Sequence, residues 1–179
     1  MNDLLYSAMD IAAILSVLDI SCKKENEILD DIWKGETAYL EEQYRNDKKR
    51  FIFDVMYWMH YFYDKPVLDE EFSVICRDME HLGHEIETRY FTGEFSKFDL
   101  FFKSVRLRIL YINTKNFYIR IKMRTLLKSY GYKRRSQNLV LHMKRCMEFY
   151  HLEATLRGGV PCSVADVDID DMLTINIYK

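Results

Sequence analysis

The chain has 179 residues, 49% of them apolar and 30% charged, with a formal net charge of −2 at pH 7. That length corresponds to one domain or two small ones, and the composition argues against intrinsic disorder. The small numbers of glycines (6) and prolines (2) exclude a fold of many tight turns. The 4 cysteines are at least 16 residues apart, which excludes a CxxC zinc ribbon and a disulfide scaffold and predicts a cytoplasmic location.

The small net charge hides a strong asymmetry along the chain. Residues 1–95 carry 10 basic and 21 acidic groups, a net charge of −11, whereas residues 96–150 carry 14 basic and 2 acidic groups, a net charge of +12. We therefore predict an acidic region at 1–95 for assembly or partner contact and a basic region at 96–179 with an anionic partner. The alternative is that the acidic half neutralises the basic segment within one fold.

The acidic region is predicted to be a bundle of helices. Residues 4–20 form an apolar run that is too short for a membrane span and contains Asp10, so we expect a buried core helix and no membrane contact. Residues 24–33 suit a short charged helix. Residues 36–63 suit one long helix, because apolar residues recur at helical spacing and Pro66 follows.

A further helix is predicted after Pro66, with Asp69 as its cap and a near-heptad apolar seam over residues 72–90. This seam and the aromatic residues around Met59 form more apolar surface than one small domain covers. We therefore expect a homodimer through the N-terminal helices. The alternative is that helix 4–20 packs over the aromatic residues within one chain.

Residues 105–122 fit two structures. Apolar residues alternate over 105–111 and again over 117–123, on either side of a loop at 113–116, and this pattern is typical of a hairpin. The second segment also has the apolar spacing of a helix. Both structures stay open for this stretch, whereas a helix is predicted from about Met123 onward.

The basic region ends in a more informative pattern. A short helix is predicted to stop at Gly131, because glycine readily adopts the left-handed conformation of a C-terminal cap. A basic turn follows, and Ser136 is a good N-cap for a second helix over 136–150. Its predicted buried stripe comprises Leu139, Met143, Cys146, Met147 and Tyr150. Its opposite face and flanks carry Gln137, Asn138, Leu141, His142, Lys144 and Arg145.

Residues 151–157 are then predicted to form a strand, Gly158-Gly159 a turn, and residues 172–178 a returning strand. This order of a helix, a basic turn, a polar-faced helix and a hairpin, together with the segment SQNLVLHMKRCMEFYHLEATLRGG, resembles winged helix-turn-helix domains over residues 123–178. Together with the helical spacing of the first half, the resemblance leads us to predict a mainly α protein, with an N-terminal helical bundle and a winged-helix-like C-terminal region containing a small β-hairpin. The insertion at 160–171 is longer than a simple wing.

The resemblance further implies a protein that binds nucleic acid, duplex DNA in particular, because a recognition helix enters the major groove with its N-terminal end near base edges. Gln137 and Asn138 would contact adenine, Arg145 would contact guanine or a phosphate, and Leu141 shares their face. The implied phosphate contacts are Lys133, Arg134, Arg135 and Lys144. The alternative is a helical interaction or subunit protein that does not bind nucleic acid.

No catalytic residue, metal site or cofactor is predicted. His81 and His84 stand among glutamates at helical spacing, but their order is not that of the HExxH zinc motif. Aspartates at 166–171 begin like an EF-hand loop, which then lacks the required Gly and Glu. Cys146 could pair with a distant His, but its place on the apolar stripe predicts inert burial. We therefore expect that the protein is not an enzyme.

Overall fold

The structure, a computed structural model, describes residues 4–16, 22–63, 94–112 and 116–178. The chain divides into two compact units, Met1–Ser96 and Lys97–Lys179. The described part is mainly helical with one small antiparallel sheet of three strands, which confirms the predicted mainly α class. The predicted seam at 72–90, its cap Asp69 and the histidines His81 and His84 lie outside the described residues.

Helix α1 (Ala8–Ser16) forms the core of the first unit, where every residue from Ala8 to Leu15 is buried. It begins in a capping box. Ser7 Oγ accepts a hydrogen bond from the Asp10 amide at 3.0 Å, and Asp10 Oδ2 accepts one from the Ser7 amide at 2.9 Å. The buried carboxylate is therefore satisfied by the start of its own helix, and the prediction of a core helix is confirmed for these residues.

Helix α2 (Cys22–Gly35) is the predicted charged helix and extends two residues further at each end. It buries Ile28, Leu29 and Ile32, which share one helical face, and exposes charged residues on the other. Lys34 pairs with Asp30 one turn earlier, and both side chains are partly exposed. Helix α2 thus buries a single apolar stripe within the first unit.

The prediction of one long helix over 36–63 is wrong. The segment contains a 3-10 turn (Thr37–Tyr39), the short helix α3 (Glu42–Arg45) and helix α4 (Lys48–Tyr63), which packs against α1. The predicted apolar positions whose burial is described are nevertheless buried; these are Leu40, Tyr44, Phe51, Val55 and Met59, whereas the burial of Phe62, also predicted, lies outside the described residues. The apolar spacing therefore predicted the buried side but not the breaks.

Specific polar contacts make the two breaks. Leu40 is extended, with φ −78° and ψ 151°, and forms an isolated parallel bridge with Tyr6. The second break is capped by Asp47, whose Oδ1 accepts a hydrogen bond from the Arg50 amide at 2.9 Å. Leu40 thus leaves the helical conformation to pair with the chain before α1, and α4 begins anew at its own cap.

The second unit alternates helices and strands. In chain order it contains α5 (Ser96–Leu107), a π-helical turn (Arg108–Ile112), β1 (Tyr118–Lys122), α6 (Met123–Ser129), α7 (Gln137–Phe149), β2 (Leu152–Thr155) and β3 (Met172–Ile177). The hairpin alternative is therefore wrong for residues 105–111, which are helical. The helix predicted from about Met123 is confirmed, and the stretch just before it is a strand.

Strand β3 lies at the centre of the sheet and pairs antiparallel with both β1 and β2. Ile175 of β3 stands opposite Ile119 on one side and Ala154 on the other. The side chains of Leu152, Ala154, Leu173 and Ile175 are buried and form the inner face of the sheet. The predicted two-stranded hairpin is thus part of a three-stranded sheet, because β1 supplies a partner that is distant in sequence.

The long connection from β2 to β3 has two parts. Gly158 and Gly159 form the predicted turn with φ of +86° and +79°, and the chain then runs back along the edge of β2 opposite β3, where the Cys162 amide donates to Ala154 O at 3.0 Å. The second part reaches the start of α6, where Arg124 pairs with Asp170 through two hydrogen bonds of 2.6 and 2.7 Å. The insertion at 160–171 is therefore an ordered connection.

Candidate nucleic-acid interface

The turn between α6 and α7 is fixed by its backbone. Gly131 has φ +81°, its amide donates to Lys128 O at 3.1 Å, and the Tyr132 amide donates to Leu127 O at 2.9 Å. These two bonds define a Schellman motif, as predicted for a helix that stops at Gly131. No atom lies within 4 Å of a Cβ built on Gly131, so the need for glycine is conformational rather than steric.

Helix α7 is held at both ends. Ser136 has the extended backbone of an N-cap, and its Oγ accepts a hydrogen bond from the Leu139 amide at 3.2 Å, as predicted. At the other end, buried Arg106 of α5 donates from Nη1 to Tyr150 O at 2.8 Å. A cation at a helix C-terminus also complements the helix dipole. The orientation of α7 is therefore set by α5 and not by its own sequence alone.

The two faces of α7 have different compositions. The predicted buried stripe is confirmed, since Leu139, Met143, Cys146, Met147 and Tyr150 are all buried. The exposed face comprises Gln137, Asn138, Leu141, Lys144, Arg145 and Glu148. Leu141 is 60% exposed at the middle of this face, which otherwise presents two amides, two cations and one carboxylate.

Most of the predicted contact residues share the basic turn and the exposed face of α7. Lys133 and Arg134 are exposed in the turn, and Lys144 and Arg145 are exposed on the helix. Among the described residues, no ion pair engages any of these four cations. We call them the turn–helix cations. They lie on helix α7 and in the loop that precedes it.

Arg135 has a structural role that the sequence did not predict. It is half-buried, and its guanidinium donates from Nη1 to Val164 O at 2.8 Å and from Nη2 to Val167 O at 2.7 Å. Both carbonyl groups belong to the connection between β2 and β3. Arg135 therefore holds that connection against the start of α7, and two of its five donors serve this contact.

Some of the positive charge of the basic region is used inside the unit. Lys103 and Arg106 are buried on α5, and Arg124 pairs with Asp170. Within the described part of the basic region, the exposed basic residues without an ion-pair partner are Arg120, Lys122, Lys128, Lys133, Arg134, Lys144, Arg145 and Arg157. The composition thus overstates the charge that is available to an external partner, but the turn–helix cations remain available.

A polar cluster on the flank of α7 was missed by the sequence analysis. His142 Nε2 contacts Asp99 Oδ1 of α5, the Cys146 thiol donates to the same oxygen at 3.4 Å, and Cys146 Sγ lies 3.5 Å from His142 Nε2. The His142–Cys146 spacing of four residues was visible in the sequence. Asp99 was not, because it is 43 residues away and on another helix.

Cys146 is unsuited to act as a nucleophile in this environment. Burial raises the pKa of its thiol far above the ordinary value, and the Asp99 carboxylate raises it further, whereas Arg145 and Lys103 lower it by less. The reactive species in cysteine catalysis is the thiolate, which such a pKa disfavours. The environment of Cys146 thus disfavours the nucleophilic form of its thiol.

Comparison of the chain with models of protein families, with curated proteins and with solved structures finds no match. Among the described residues, no helix has the length and apolar character needed to cross a membrane. The function is therefore inferred from the surface of the second unit.

Proposed function

We propose that residues 97–179 form a winged helix-turn-helix domain that binds duplex DNA and catalyses no reaction. The observation that carries this proposal is the exposed polar and cationic face of α7, which follows a tight basic turn. The element order of the second unit supports it, because α5, α6 and α7 would be the three helices of such a domain and β1, β2 and β3 form one antiparallel sheet.

The dimensions of α7 suit the major groove. Its 13 residues make it about 20 Å long, and the major groove of B-DNA is about 12 Å wide and admits an α-helix. Gln137 and Asn138, at the N-terminal end, carry amides that can contact adenine edges, and the apolar side chain of Leu141 suits a thymine methyl group. The deep, narrow major groove of A-form RNA does not admit these side chains, which favours DNA.

The turn–helix cations supply the affinity that does not depend on sequence. Lys133, Arg134 and Lys144 are placed to neutralise phosphates, while Arg145 can contact a phosphate or the O6 and N7 atoms of guanine. Three negative groups oppose them, since Glu148 is exposed on α7 and the connection held by Arg135 exposes Asp166 and Asp168. We therefore expect modest affinity and a salt dependence set by about four phosphates.

The test measures binding of the full chain to labelled duplex DNA by fluorescence anisotropy between about 50 mM and 200 mM salt. Four neutralised phosphates give a log–log slope of about −3.6, at −0.9 for each phosphate. The double variant Lys144→Ala/Arg145→Ala should reduce the magnitude of this slope by about 2. A chain that does not bind duplex DNA at the lowest salt contradicts the proposal.

A matched control removes the same charge elsewhere. Lys24 and Lys49 are exposed in the first unit, and the double variant Lys24→Ala/Lys49→Ala should leave both affinity and slope unchanged. Equal losses in both double variants would show that DNA responds to the net charge of the chain and not to α7.

As a second candidate function, we propose that the first unit forms a homodimer through its N-terminal helices. The supporting observation is an exposed apolar face on α4, where Phe53 is 71% exposed, Tyr57 is 62% exposed, and Met56 is 37% exposed between them. Light scattering at micromolar concentration tests it, with Phe53→Ser/Tyr57→Ser as the variant expected to be monomeric. A wild-type mass near 21.6 kDa at every concentration contradicts the dimer.

A further inference from the structure

Three side chains with different donor atoms meet between α5 and α7. The carboxylate oxygen of Asp99, the imidazole nitrogen of His142 and the sulfur of Cys146 all lie within 4.8 Å of one another. Asp99 is 4% exposed and Cys146 is fully buried, while the His142 side chain is 15% exposed. The cluster is therefore buried on two sides and reaches solvent at the imidazole.

We propose that Asp99, His142 and Cys146 bind a zinc ion. Zinc accepts carboxylate, imidazole and thiolate ligands in a tetrahedral arrangement at about 2.0 to 2.3 Å. Two ligands at those distances and at the tetrahedral angle are about 3.6 Å apart when one of them is sulfur. Cys146 Sγ lies 3.4 Å from Asp99 Oδ1 and 3.5 Å from His142 Nε2, close to that requirement.

The third ligand pair needs a small rearrangement. Asp99 Oδ1 and His142 Nε2 are in direct hydrogen-bond contact, and an ion between them requires a separation of about 3.4 Å. The partly exposed imidazole can move outward, whereas Asp99 and Cys146 are enclosed. The same exposure gives the ion a path from solvent, and a water molecule would be the fourth ligand of a tetrahedral site.

The charges of the site are consistent with a divalent ion of zinc type. When the ion binds, the S–H bond of Cys146 breaks, its proton goes to solvent, and the sulfur forms the bond to the metal. The thiolate and the Asp99 carboxylate together balance the two positive charges of the ion. Lys103 and Arg145 lie near the thiol, and their positive charges oppose the ion. The sulfur and nitrogen donors favour zinc over calcium or magnesium, which prefer oxygen ligands.

Zinc at this position would join α5 to the helix that carries the proposed DNA-binding face. Metal binding is measured without DNA, so this inference and the proposed function can fail separately. A protein that binds zinc but not DNA would retain the site and lose the function proposed above.

The experiment uses the full chain, freed of metal with a chelator and kept reduced. Co²⁺ is added as a spectroscopic substitute for zinc, and the expected result is one equivalent bound with a thiolate-to-cobalt charge-transfer band and the intense visible bands of a tetrahedral site. Zn²⁺ should then displace Co²⁺ and abolish these bands. A wild-type protein that shows no thiolate band with Co²⁺ overturns the proposal.

Variants identify the ligands. His142→Gln keeps a polar side chain at a partly exposed position and should weaken zinc binding by about a hundredfold or more, as measured against a chromophoric chelator. Cys146→Ser should lose the thiolate band. Cys162→Ser removes a thiol outside the cluster and should keep the thiolate band. A band that persists in Cys146→Ser would overturn the assignment, and circular dichroism checks that each variant is folded.

Discussion

The outer faces of α4 and α7 differ in chemistry although the two helices are built alike. Each begins at a side-chain cap and buries one apolar stripe. The outer face of α4 presents Phe53 and Tyr57, whereas that of α7 presents Lys144 and Arg145 among amides. Apolar surface binds protein, and cationic surface binds polyanions. The comparison teaches that two helices with the same kind of cap and one apolar stripe each can expose surfaces of different chemistry.

The largest expected effect distinguishes the buried face of each helix from its exposed face. Met59→Ala in α4 and Met143→Ala in α7 should each destabilise the chain by about 2–5 kcal/mol, because both side chains are buried. Tyr57→Ser and Arg145→Ala should change stability by about 0.5 kcal/mol or less. Urea unfolding followed by circular dichroism measures all four, and a reversed ranking in either helix would mean that its faces have been exchanged.

The turn that precedes α7 should show the next largest effect. Gly131→Ala places a Cβ on a residue at φ +81°, which costs about 1–2 kcal/mol although space for the Cβ is available. Gly131→Asn is the matched control and should cost less, because Asn tolerates the left-handed conformation. Thermal unfolding compares them, and equal melting temperatures for wild type and Gly131→Ala would contradict the Schellman geometry.

The caps of the two helices provide a direct comparison of similar size. Asp47→Ala should remove the cap of α4 and Ser136→Ala that of α7, each at a cost of about 1 kcal/mol. Ser136→Asp retains an acceptor and should restore stability. Denaturant unfolding checks these values. If Ser136→Ala cost nothing while Asp47→Ala cost the expected amount, the two helices would not begin in the same way.

The smallest effect concerns an exposed pair and is dependent on pH. Arg124 holds the pKa of Asp170 below its ordinary value of 3.8, so the pair stabilises the folded chain above that pH and is lost as the pH falls through the lowered folded value. Asp170→Asn should therefore be slightly less stable than wild type at pH 7, with the difference shrinking in acid. Unfolding at several pH values tests this, and a difference that grows in acid contradicts the sign.

The sequence predicted α7 well because each of its features has a local cause. Ser136 offers an acceptor to a backbone amide three residues on, Gly131 supplies the left-handed turn before it, and the apolar residues recur on one face. Helix capping, glycine conformation and amphipathic spacing act over a few residues, so they can be recognised without knowledge of the fold. The elements joined by distant contacts were harder to predict.

Two regions show why periodicity failed elsewhere. Leu40 and Phe51 keep the spacing of one helix although hydrogen bonds break the helix between them, so the apolar pattern does not reveal the breaks. The sequence signal for the second break was the Asn46-Asp47 pair, because Asp47 caps α4. Residues 98–107 are buried on nearly every side, including Lys103 and Arg106. The apparent alternation over 105–111 falls on the end of this buried stretch and on the π-helical turn, so it did not separate a buried face from an exposed face.

The metal-ligand cluster was only partly visible in the sequence. His142 and Cys146 stand one helical turn apart, but such a pair is common on amphipathic helices. Its third member, Asp99, is brought to them by the tertiary packing of α5, whose Phe98 contacts the rings of Tyr130 and Tyr132 in the turn between α6 and α7 at centroid distances of 5.3 and 5.8 Å. Tertiary packing, which the sequence pattern does not display, therefore creates the site.

The central position of β3 has a consequence for how the chain folds during synthesis. Strands β1 and β2 leave the ribosome before β3, and neither pairs with the other, so both have exposed backbone edges until residues 172–177 emerge. Closing the pair of β1 with β3 also spans about fifty residues, which slows folding relative to local contacts. Nascent chains halted before Met172 would thus carry two strands without their β3 partner, and unpaired strand edges favour aggregation.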